Sequence, residues 1–323
     1  MKKIIVYSLI LAAGLESGLA ASTGSSGVQA LMLDSYGSRP IALADAFTGV
    51  ADDVNAISVN PAGLSTLSSV EAQVMYLSDF ADQSESYLFG GVAWPFAKAF
   101  CAAVSVESYG LASFDGVDKT GLPTGTSLSA GDLVFTGAFA FDPMKLAGKK
   151  FGLNLGVAAH FIQSTLAGKS ASAFAFDAGV LFKAGIFGFG EMNRKDNLGI
   201  GFAAQNIGTS VTYVSEKTGL PANLRAGIGY RVFKDRMHSV QVSADANLPG
   251  DSSPIVSAGL EYTLLGMFYV RGGYKITGPE AAGLSAGAGV SYLLGGRKLF
   301  VDYAVVPMKD LGISHAFSLG MKF

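Results

Sequence analysis

From Ser68 onward the chain alternates apolar residues with small or polar ones, in segments of about ten residues separated by turn residues. Val70, Ala72, Val74 and Tyr76 fall on one face of an extended chain, and Glu71 and Gln73 on the other. The two-residue period continues through 87–96. It returns where Phe100, Ala102, Val104 and Val106 oppose Cys101, Ala103, Ser105 and Glu107. It then recurs over 133–141, 151–161, 172–183, 198–204, 224–232, 240–246, 256–262, 268–276, 284–292, 299–305 and 315–323. The pattern predicts about fourteen strands, an even number that leaves both termini on one side of a closed sheet. A soluble two-sheet sandwich would also alternate, but one face of each strand would then meet water. Here the apolar face is continuous and aromatic through nearly every strand, which predicts an all-β fold, a transmembrane antiparallel β-barrel.

The stretch before these strands reads differently. Pro40 can open a helix, because its missing N–H would be unsatisfied there anyway. Ile41, Ala42, Leu43, Ala44 and Ala46 favour one or two turns, which Gly49 and the Asp52–Asp53 pair end. Asn60 before Pro61 repeats the arrangement with a side-chain cap, and Gly63 is expected to stop that second helix. Two short helices cannot form a core alone, so residues 21–67 are expected to be a plug inside a barrel of residues 68–323.

Lys2 and Lys3, the apolar stretch 4–15 and the small residues Gly18-Leu19-Ala20 read as a signal peptide over 1–20, cleaved after Ala20 or Ala21. A signal anchor is the other reading, although the apolar run is short for a spanning helix. The whole chain carries 42 Gly, 22 Phe and 12 Tyr with only 15% charged residues, and its mean hydropathy is +0.39. No later window offers about 20 consecutive apolar residues, so a closed barrel is the membrane form that satisfies every backbone group in lipid. A net charge of −2 gives no reason to expect nucleic acid. The single cysteine, Cys101, has no internal disulfide partner and reads as a small buried side chain.

With the plug on the periplasmic side, the turns at Ala97-Lys98, 234–237, Leu265-Gly266 and 295–297 are short and periplasmic. The loops 110–127 and 208–222 are long and external. The connections 142–150 and 185–196 are longer than periplasmic turns are expected to be. Both external loops carry a K-T-G-L-P run, Asp118 to Pro123 and Glu216 to Pro221. It is either recurrent turn chemistry or a matched pair of apolar-tipped loops that catch a ligand at the mouth.

The inward-facing charges nearly balance. Acids are Glu71, Glu107, Asp132, Asp177, Asp245, Glu261 and Asp302; bases are Lys183, Arg225, Arg231, Arg271, Lys275, Lys298 and Lys322. A one-signed lumen would favour an ion-selective pore, whereas this mixture suits pairing with a plug. Arg39, Asp45, Asp52, Asp53 and Asn55 supply partners from the N-terminal segment, and with Asn60, Pro61, Arg225, Arg231 and Arg271 they are the candidate plug-gating and ligand residues. Catalysis finds no support. Gly283-Leu284-Ser285-Ala286-Gly287 matches G-x-S-x-G, but it runs straight into strand alternation rather than a nucleophile elbow. The K-T-G triplets lack an S-x-x-K, and His160, His238 and His315 have no metal-ligand spacing. Gly199-x-Gly201-x-x-Ala204 opens no helix. Neither enzyme activity nor a cofactor or metal is expected.

Arg39, Ala51-Asp52-Asp53, Asn55-Ala56 and Asn60-Pro61-Ala62-Gly63-Leu64 resemble the N-terminal segment of the long-chain fatty-acid transporter superfamily of outer-membrane proteins. The runs Leu220-Pro221-x-Asn223-Leu224-Arg225-Ala226-Gly227 and Asp302-Tyr303-Ala304-x-x-Pro307-x-x-Asp310-Leu311-Gly312 resemble the branch that holds the type IX secretion barrel protein and its uncharacterised relatives. The resemblance implies an outer-membrane barrel that passes small hydrophobic molecules through a plugged lumen. In such relatives external loops capture a ligand, and a gap in the wall releases it sideways when the plug shifts. Pro95, after Trp94, is the one proline inside a predicted strand; it marks either such a gap or simply a strand end in the interfacial belt. The aromatic C-terminal Phe323 resembles the signal read by the barrel-assembly machinery. Implied partners are outer-membrane lipid and a hydrophobic small molecule. The alternatives are a secretion barrel that binds secreted proteins and passes them to an attachment complex, and a structural barrel with no transport. Ile41 to Leu43 stands where relatives often carry a glycine-rich run.

Overall fold

The computed structural model describes residues 28–31, 33, 35–79, 85–118, 120–186, 189–190, 197–213, 217–277, 281–307 and 312–323. The expected signal peptide lies outside them, as does most of the 185–196 connection.

Fourteen long strands form a closed antiparallel barrel that spans the membrane. They are β1 (Glu71–Asp79), β2 (Glu85–Phe96), β3 (Phe100–Val117), β4 (Pro123–Phe141), β5 (Gly152–Leu166), β6 (Lys169–Ala184) and β7 (Leu198–Gly208). The second half holds β8 (Asn223–Lys234), β9 (His238–Pro249), β10 (Ile255–Leu264), β11 (Phe268–Thr277), β12 (Ala281–Leu294), β13 (Arg297–Pro307) and β14 (Ile313–Lys322). Each pairs with its sequence neighbour, and β14 pairs with β1 from Glu71↔Lys322 to Asp79↔Ser314, so the sheet has no open edge. The Glu71 carboxylate meets Lys322 Nζ at 2.8 Å on this seam.

Alternation sets the faces. Val74, Leu88, Val104, Phe176, Phe202, Val270, Tyr292 and Leu319 point outward and are at least half or nearly half exposed, while Gln73, Glu107, Asp177, Arg225 and Arg271 on the opposite face are buried. That inversion, apolar residues outside and polar residues inside, is what lipid requires of a closed sheet. The inside is nevertheless well filled, because residues 35–67 occupy it. Helix α1 (Ser38–Ala42), helix α2 (Ala56–Val59) and a 3-10 helix (Pro61–Thr66) lie within the lumen with Phe47, Leu43, Ile57 and Leu64 almost fully buried.

The lumen segment departs from the expected helices in two places. Helix α1 ends at Ala42, not at Ala46, because Ala44 and Asp45 take left-handed backbone conformations (φ 54° and 65°) that turn the chain. Gly63 does not stop the second helix. Asn60 caps the 3-10 helix by accepting from Ala62 N–H at 3.2 Å, and the helix runs on through Thr66. Gly63 is required for space instead: a Cβ there would lie 2.1 Å from the Ala51 carbonyl oxygen.

At the end of the barrel that holds both strand termini, the turns are short except two. Asp142 caps helix α3 (Pro143–Leu146) by accepting from Met144 N–H (2.9 Å) and Lys145 N–H (3.1 Å). Beyond β6, Phe189–Gly190 lies parallel to Phe233–Lys234 of β8. At the far end, the expected loop 110–127 is mostly strand. Past Leu111 and Ala130 the described ladder continues only between β3 and β4, which run on as a two-stranded hairpin that reaches about 20 Å further. Its tip is an Asx turn in which Asp118 Oδ1 accepts from Thr120 N–H (2.8 Å) and Leu122 N–H (3.0 Å). The second K-T-G-L-P run folds otherwise: Lys217–Thr218 pairs with Val211–Thr212. The two copies are therefore not a structural pair.

Candidate functional site

The lumen segment and the wall meet backbone to backbone. Inward-facing glycines on seven strands stand where a side chain would strike the segment. A Cβ on Gly201 would lie 2.1 Å from Thr48 O, one on Gly199 2.1 Å from Gly49 O, and one on Gly156 2.3 Å from Ala62 N. Gly179 faces Asn60, Gly229 faces Val50 and Gly49, and Gly259 and Gly273 face Leu43 and Ala44; Gly287 faces Ala42. These glycines, spread from β5 to β12, form a cradle shaped to one particular main-chain path.

Polar contacts fix the segment in that cradle. Arg39 reaches three carboxylates: Nη1 meets Asp52 Oδ1 at 2.6 Å and Asp53 Oδ2 at 2.8 Å, and Nε meets Glu261 Oε2 at 2.8 Å. The same Glu261 oxygen accepts from Arg271 Nε at 2.7 Å, and Arg271 also pairs with Asp302. The Arg39 guanidinium stacks over Phe47 at 5.3 Å. Burial by itself would raise the Asp52 carboxyl, but the facing Arg39, with Lys183 behind it, overrides that and holds it well below the usual carboxylate range. Arg39 is correspondingly fixed in its charged form: burial opposes the charge, and the three carboxylates outweigh it.

A second anchor forms around Asp245, whose Oδ2 accepts from Phe47 N–H (3.1 Å) and Thr48 N–H (2.8 Å). Arg225 stands 3.6 Å from that oxygen and donates to the Asp45 carbonyl at 2.8 Å, while the Asp45 side chain pairs with Lys275. Asn60 Nδ2 donates to Thr48 O (3.1 Å) inside the segment and to Val180 O (3.2 Å) on the wall. Asn55 and Gln73 exchange two amide hydrogen bonds. Gln205 donates to Ser58 O at 2.7 Å, and Lys183 to Val50 O at 2.9 Å.

The structure thus gathers Arg39, Asp45, Asp52, Asp53, Asn55, Asn60, Pro61, Arg225 and Arg271 at the seam between segment and wall. Arg231 lies on the same inner face but hydrogen-bonds along the wall to Gln241 (3.4 Å). Trp94 and Pro95 do not join the site. Trp94 is 64% exposed on the outer face, and Pro95 pairs with Cys101 in an unbroken β2–β3 register, beyond Ala93, the last β2 residue opposite β1. A proline at a place where one neighbouring strand has ended opens no gap. The wall is irregular elsewhere. Between β6 and β7 the register slips at Phe176/Ala178, Asn206 takes a left-handed conformation (φ 57°), and its N–H donates to Asp177 Oδ1 at 2.7 Å instead of to the ladder.

Beside that bulge lies a cavity of about 140 Å³ near the far end of the lumen. Ala30, Leu31, Leu33 and Tyr36 of the N-terminal segment form one side, and Pro221, Pro249 and Ile255 add apolar surface. Glu107, His160, Asp177, Gln205, Asn206, Asn223 and Asp251 supply its polar wall. His160 links two strands there, with Nε2 3.0 Å from Asp177 Oδ2 and Nδ1 2.9 Å from Thr136 Oγ1, which also donates to Glu107 at 3.1 Å. The alternation places Glu107 and Asp177 inside, but Asn206, Asn223 and Asp251 sit at strand ends and a bulge, where periodicity carries no signal.

No protein-family model and no curated protein matches the sequence. Solved structures do resemble the fold. The toluene transporter TbuX of Ralstonia pickettii superposes with a TM-score of 0.56 at 14% identity, over 90% of this chain and 98% of that one. A Pseudomonas aeruginosa FadL homologue gives 0.54 at 11% identity over 90% and 98%. The Pseudomonas putida toluene transporter TodX gives 0.54 at 9% identity over 94% and 98%. At these identities the likeness is one of fold: a fourteen-strand membrane barrel.

Proposed function

We propose that this protein is an outer-membrane channel for passive passage of small hydrophobic molecules, closed at rest by residues 35–67. The observation that carries the reading is the pairing of a membrane-spanning barrel with a lumen segment seated on glycines and held by exchangeable ion pairs and hydrogen bonds. A pore for ions would keep its lumen clear, and a structural barrel has no need of a main-chain-shaped cradle. The neighbours with this fold are described as toluene transporters and monoaromatic hydrocarbon channels, which supports the substrate class. A fatty acid is one member of that class. Export by the N-terminal signal and assembly through Phe323 belong to the same reading. The β6–β7 bulge at Asn206, beside the cavity, replaces Pro95 as the place for a sideways exit, since the ladder there already relies on a side chain.

The test is deletion of residues 22–66 followed by planar-bilayer recording and toluene uptake into proteoliposomes. The full chain is expected to be electrically closed yet to pass toluene, and the deletion to conduct ions. Unchanged conductance after the deletion sinks the plug; no toluene flux through the intact chain sinks the transport. A secretion role is favoured by one feature, the β3–β4 hairpin that extends beyond the rim with no further strand pairing among the described residues, a form suited to binding protein. Retention of a secreted or attachment-complex protein on the purified barrel, lost when residues 112–129 are removed, would move the assignment there.

A further inference from the structure

The end of the barrel that holds both strand termini carries bases of two kinds. On one side the protein itself uses them. Lys322 pairs with Glu71, Lys298 donates to Gly266 O (3.1 Å) and to the Tyr269 hydroxyl (2.8 Å), and the Arg297 guanidinium lies over the Phe323 ring at 5.5 Å. On the other side Lys98, Lys145, Lys149 and Lys150 are exposed, and none has a carboxylate partner among the described residues. They belong to one group. Asp142 N–H donates to Ala99 O at 2.9 Å, which ties the β2–β3 turn holding Lys98 to helix α3 holding Lys145. Gly148 then takes a left-handed conformation (φ 66°), Lys149 N–H donates back to Met144 O at 2.9 Å, and Lys150 leads into β5. Asp142, the acid of this connection, is buried and committed to the N–H groups of Met144, Lys145 and Leu153.

The outer face of the same strands is aromatic. Phe96, Phe100, Phe139 and Phe141 pack with ring centroids 6.0–6.4 Å apart, and Trp94 stands beside them on β2, 64% exposed. Leu146 of helix α3, beyond the strand ends, is 57% exposed. Rings that face lipid, then an exposed leucine, then unpaired lysines make the profile of a membrane interface. An acidic soluble protein would meet the lysines and leave the rings uncovered. A phospholipid covers both, its headgroup on the lysines and its chains on the rings. The far end has the opposite balance: its described strand ends and turns hold Asp79, Glu85, Asp115, Asp118 and Asp251 against Lys169 and Lys217.

We propose that this side of the barrel rim binds anionic phospholipid, with the headgroup phosphate held by Lys98, Lys145, Lys149 and Lys150 and the acyl chains laid along Trp94, Phe96 and Phe139. The inference needs the membrane-spanning barrel and not the transport reading. Each lysine near an anionic headgroup strengthens the attraction about fivefold, so the group selects phosphatidylglycerol over a zwitterionic lipid with the same chains.

The test is native mass spectrometry of the detergent-purified full chain, titrated with dioleoyl phosphatidylglycerol or with dioleoyl phosphatidylcholine. Phosphatidylglycerol is expected to bind about tenfold more tightly or better. Replacing the lysines of the β4–β5 connection together (Lys145→Gln, Lys149→Gln and Lys150→Gln) is expected to remove that preference. Lys169→Gln with Lys217→Gln, at the far end, is expected to leave it intact. Excess glycerol phosphate, a headgroup without chains, is expected not to displace the lipid; displacement would replace the lipid site by a bare anion site and overturn the inference. Equal affinity for the two lipids overturns it as well. So does a preference that survives the β4–β5 substitutions in a barrel with unchanged heat-resistant mobility, or one that is lost with the far-end pair.

Discussion

Gly201 gives the sharpest test of how the lumen segment is seated. Its ideal Cβ would stand 2.1 Å from Thr48 O, 2.7 Å from Thr48 C and 2.9 Å from Asn60 Nδ2. The first distance is more than an ångström short of ordinary contact. Two of the three atoms are main chain, tied down in turn by Asp245 on Thr48 N–H and by Asn60 on Thr48 O. Neither can swing aside as a side-chain tip would. Gly201→Ala should therefore behave as overpacking, at about 1–3 kcal/mol, and should do so by lifting the segment and not by opening the wall. Gly90→Ala is the control: its Cβ has nothing within 4 Å, and alanine in a strand is favoured over glycine by roughly 0.5–1 kcal/mol. One methyl group at two glycines of the same barrel should then act in opposite directions, with a difference of about 1.5–4 kcal/mol. The assay is denaturant unfolding of the barrel refolded in detergent, paired with bilayer conductance. Gly201→Ala should unfold at lower denaturant and show open events, and Gly90→Ala should do neither. Equal stability and equal closure of the two variants would refute the claim that segment and wall meet backbone to backbone.

Other consequences follow from the same contacts. Arg39→Ala leaves Asp52, Asp53 and half of Glu261 without their cation, and losing one partner of a buried pair costs about 3–5 kcal/mol. The segment should become protease-sensitive while the barrel keeps its heat-resistant mobility on gels. Arg39→Lys keeps the charge but loses the planar fork, so it should fall between wild type and Arg39→Ala in the same assay. Asn60→Ala removes the cap on Ala62 and the bonds to Thr48 and Val180, and should lower the denaturation midpoint by an amount equivalent to about 1–3 kcal/mol. The depressed Asp52 carboxyl sets the sign of a pH effect. Its contribution is complete above the ordinary aspartate value, about 4, and drains away as pH falls toward the depressed value. Conductance should stay closed from pH 7 to about 4 and rise below that; opening on the alkaline side of pH 5 would contradict the latch.

Much of this architecture was legible from two-residue alternation, because in a membrane barrel each strand residue faces either lipid or lumen. All fourteen strands fall where the alternation places them, and Arg225, Asp245, Glu261 and Arg271 face inward as it requires. The misreadings have local causes. The period marks where a strand faces lipid and says nothing of polar strands beyond the membrane, so Thr124, Ser127 and their neighbours read as loop although they continue β4. Pro95, read as marking either a gap or a strand end, lies one residue before the end of β2 and past its last residue opposite β1. The left-handed turn at Ala44–Asp45 gave no warning, since alanine ordinarily avoids it. The path there is imposed by the close fit of Leu43 and Ala44 against Gly259 and Gly273.

The wall glycines carried a signal that alternation alone does not extract. Glycine within a strand reads as a weak spot or as relief of curvature, and either cause should place it on both faces alike. The glycines that meet the lumen segment are all inward, share their faces with the pairing charges, and cluster on β5 to β12 opposite residues 42–62. Gly199 and Gly201 alternate toward one loop of the segment, and Gly227 and Gly229 toward the same loop from the next strand. Such a face can be close-packed only when the segment is present, and the segment has no core of its own without the wall. The charges follow the same logic: Glu261 is shared between Arg39 of the segment and Arg271 of the wall, so removing the segment leaves the wall a lumen of mixed charge open to water, not a collapsed one. The barrel can therefore survive loss of its plug as a conducting ring, while the plug cannot survive loss of the barrel. That asymmetry is what the proposed channel requires of a covalently attached segment that serves as its gate.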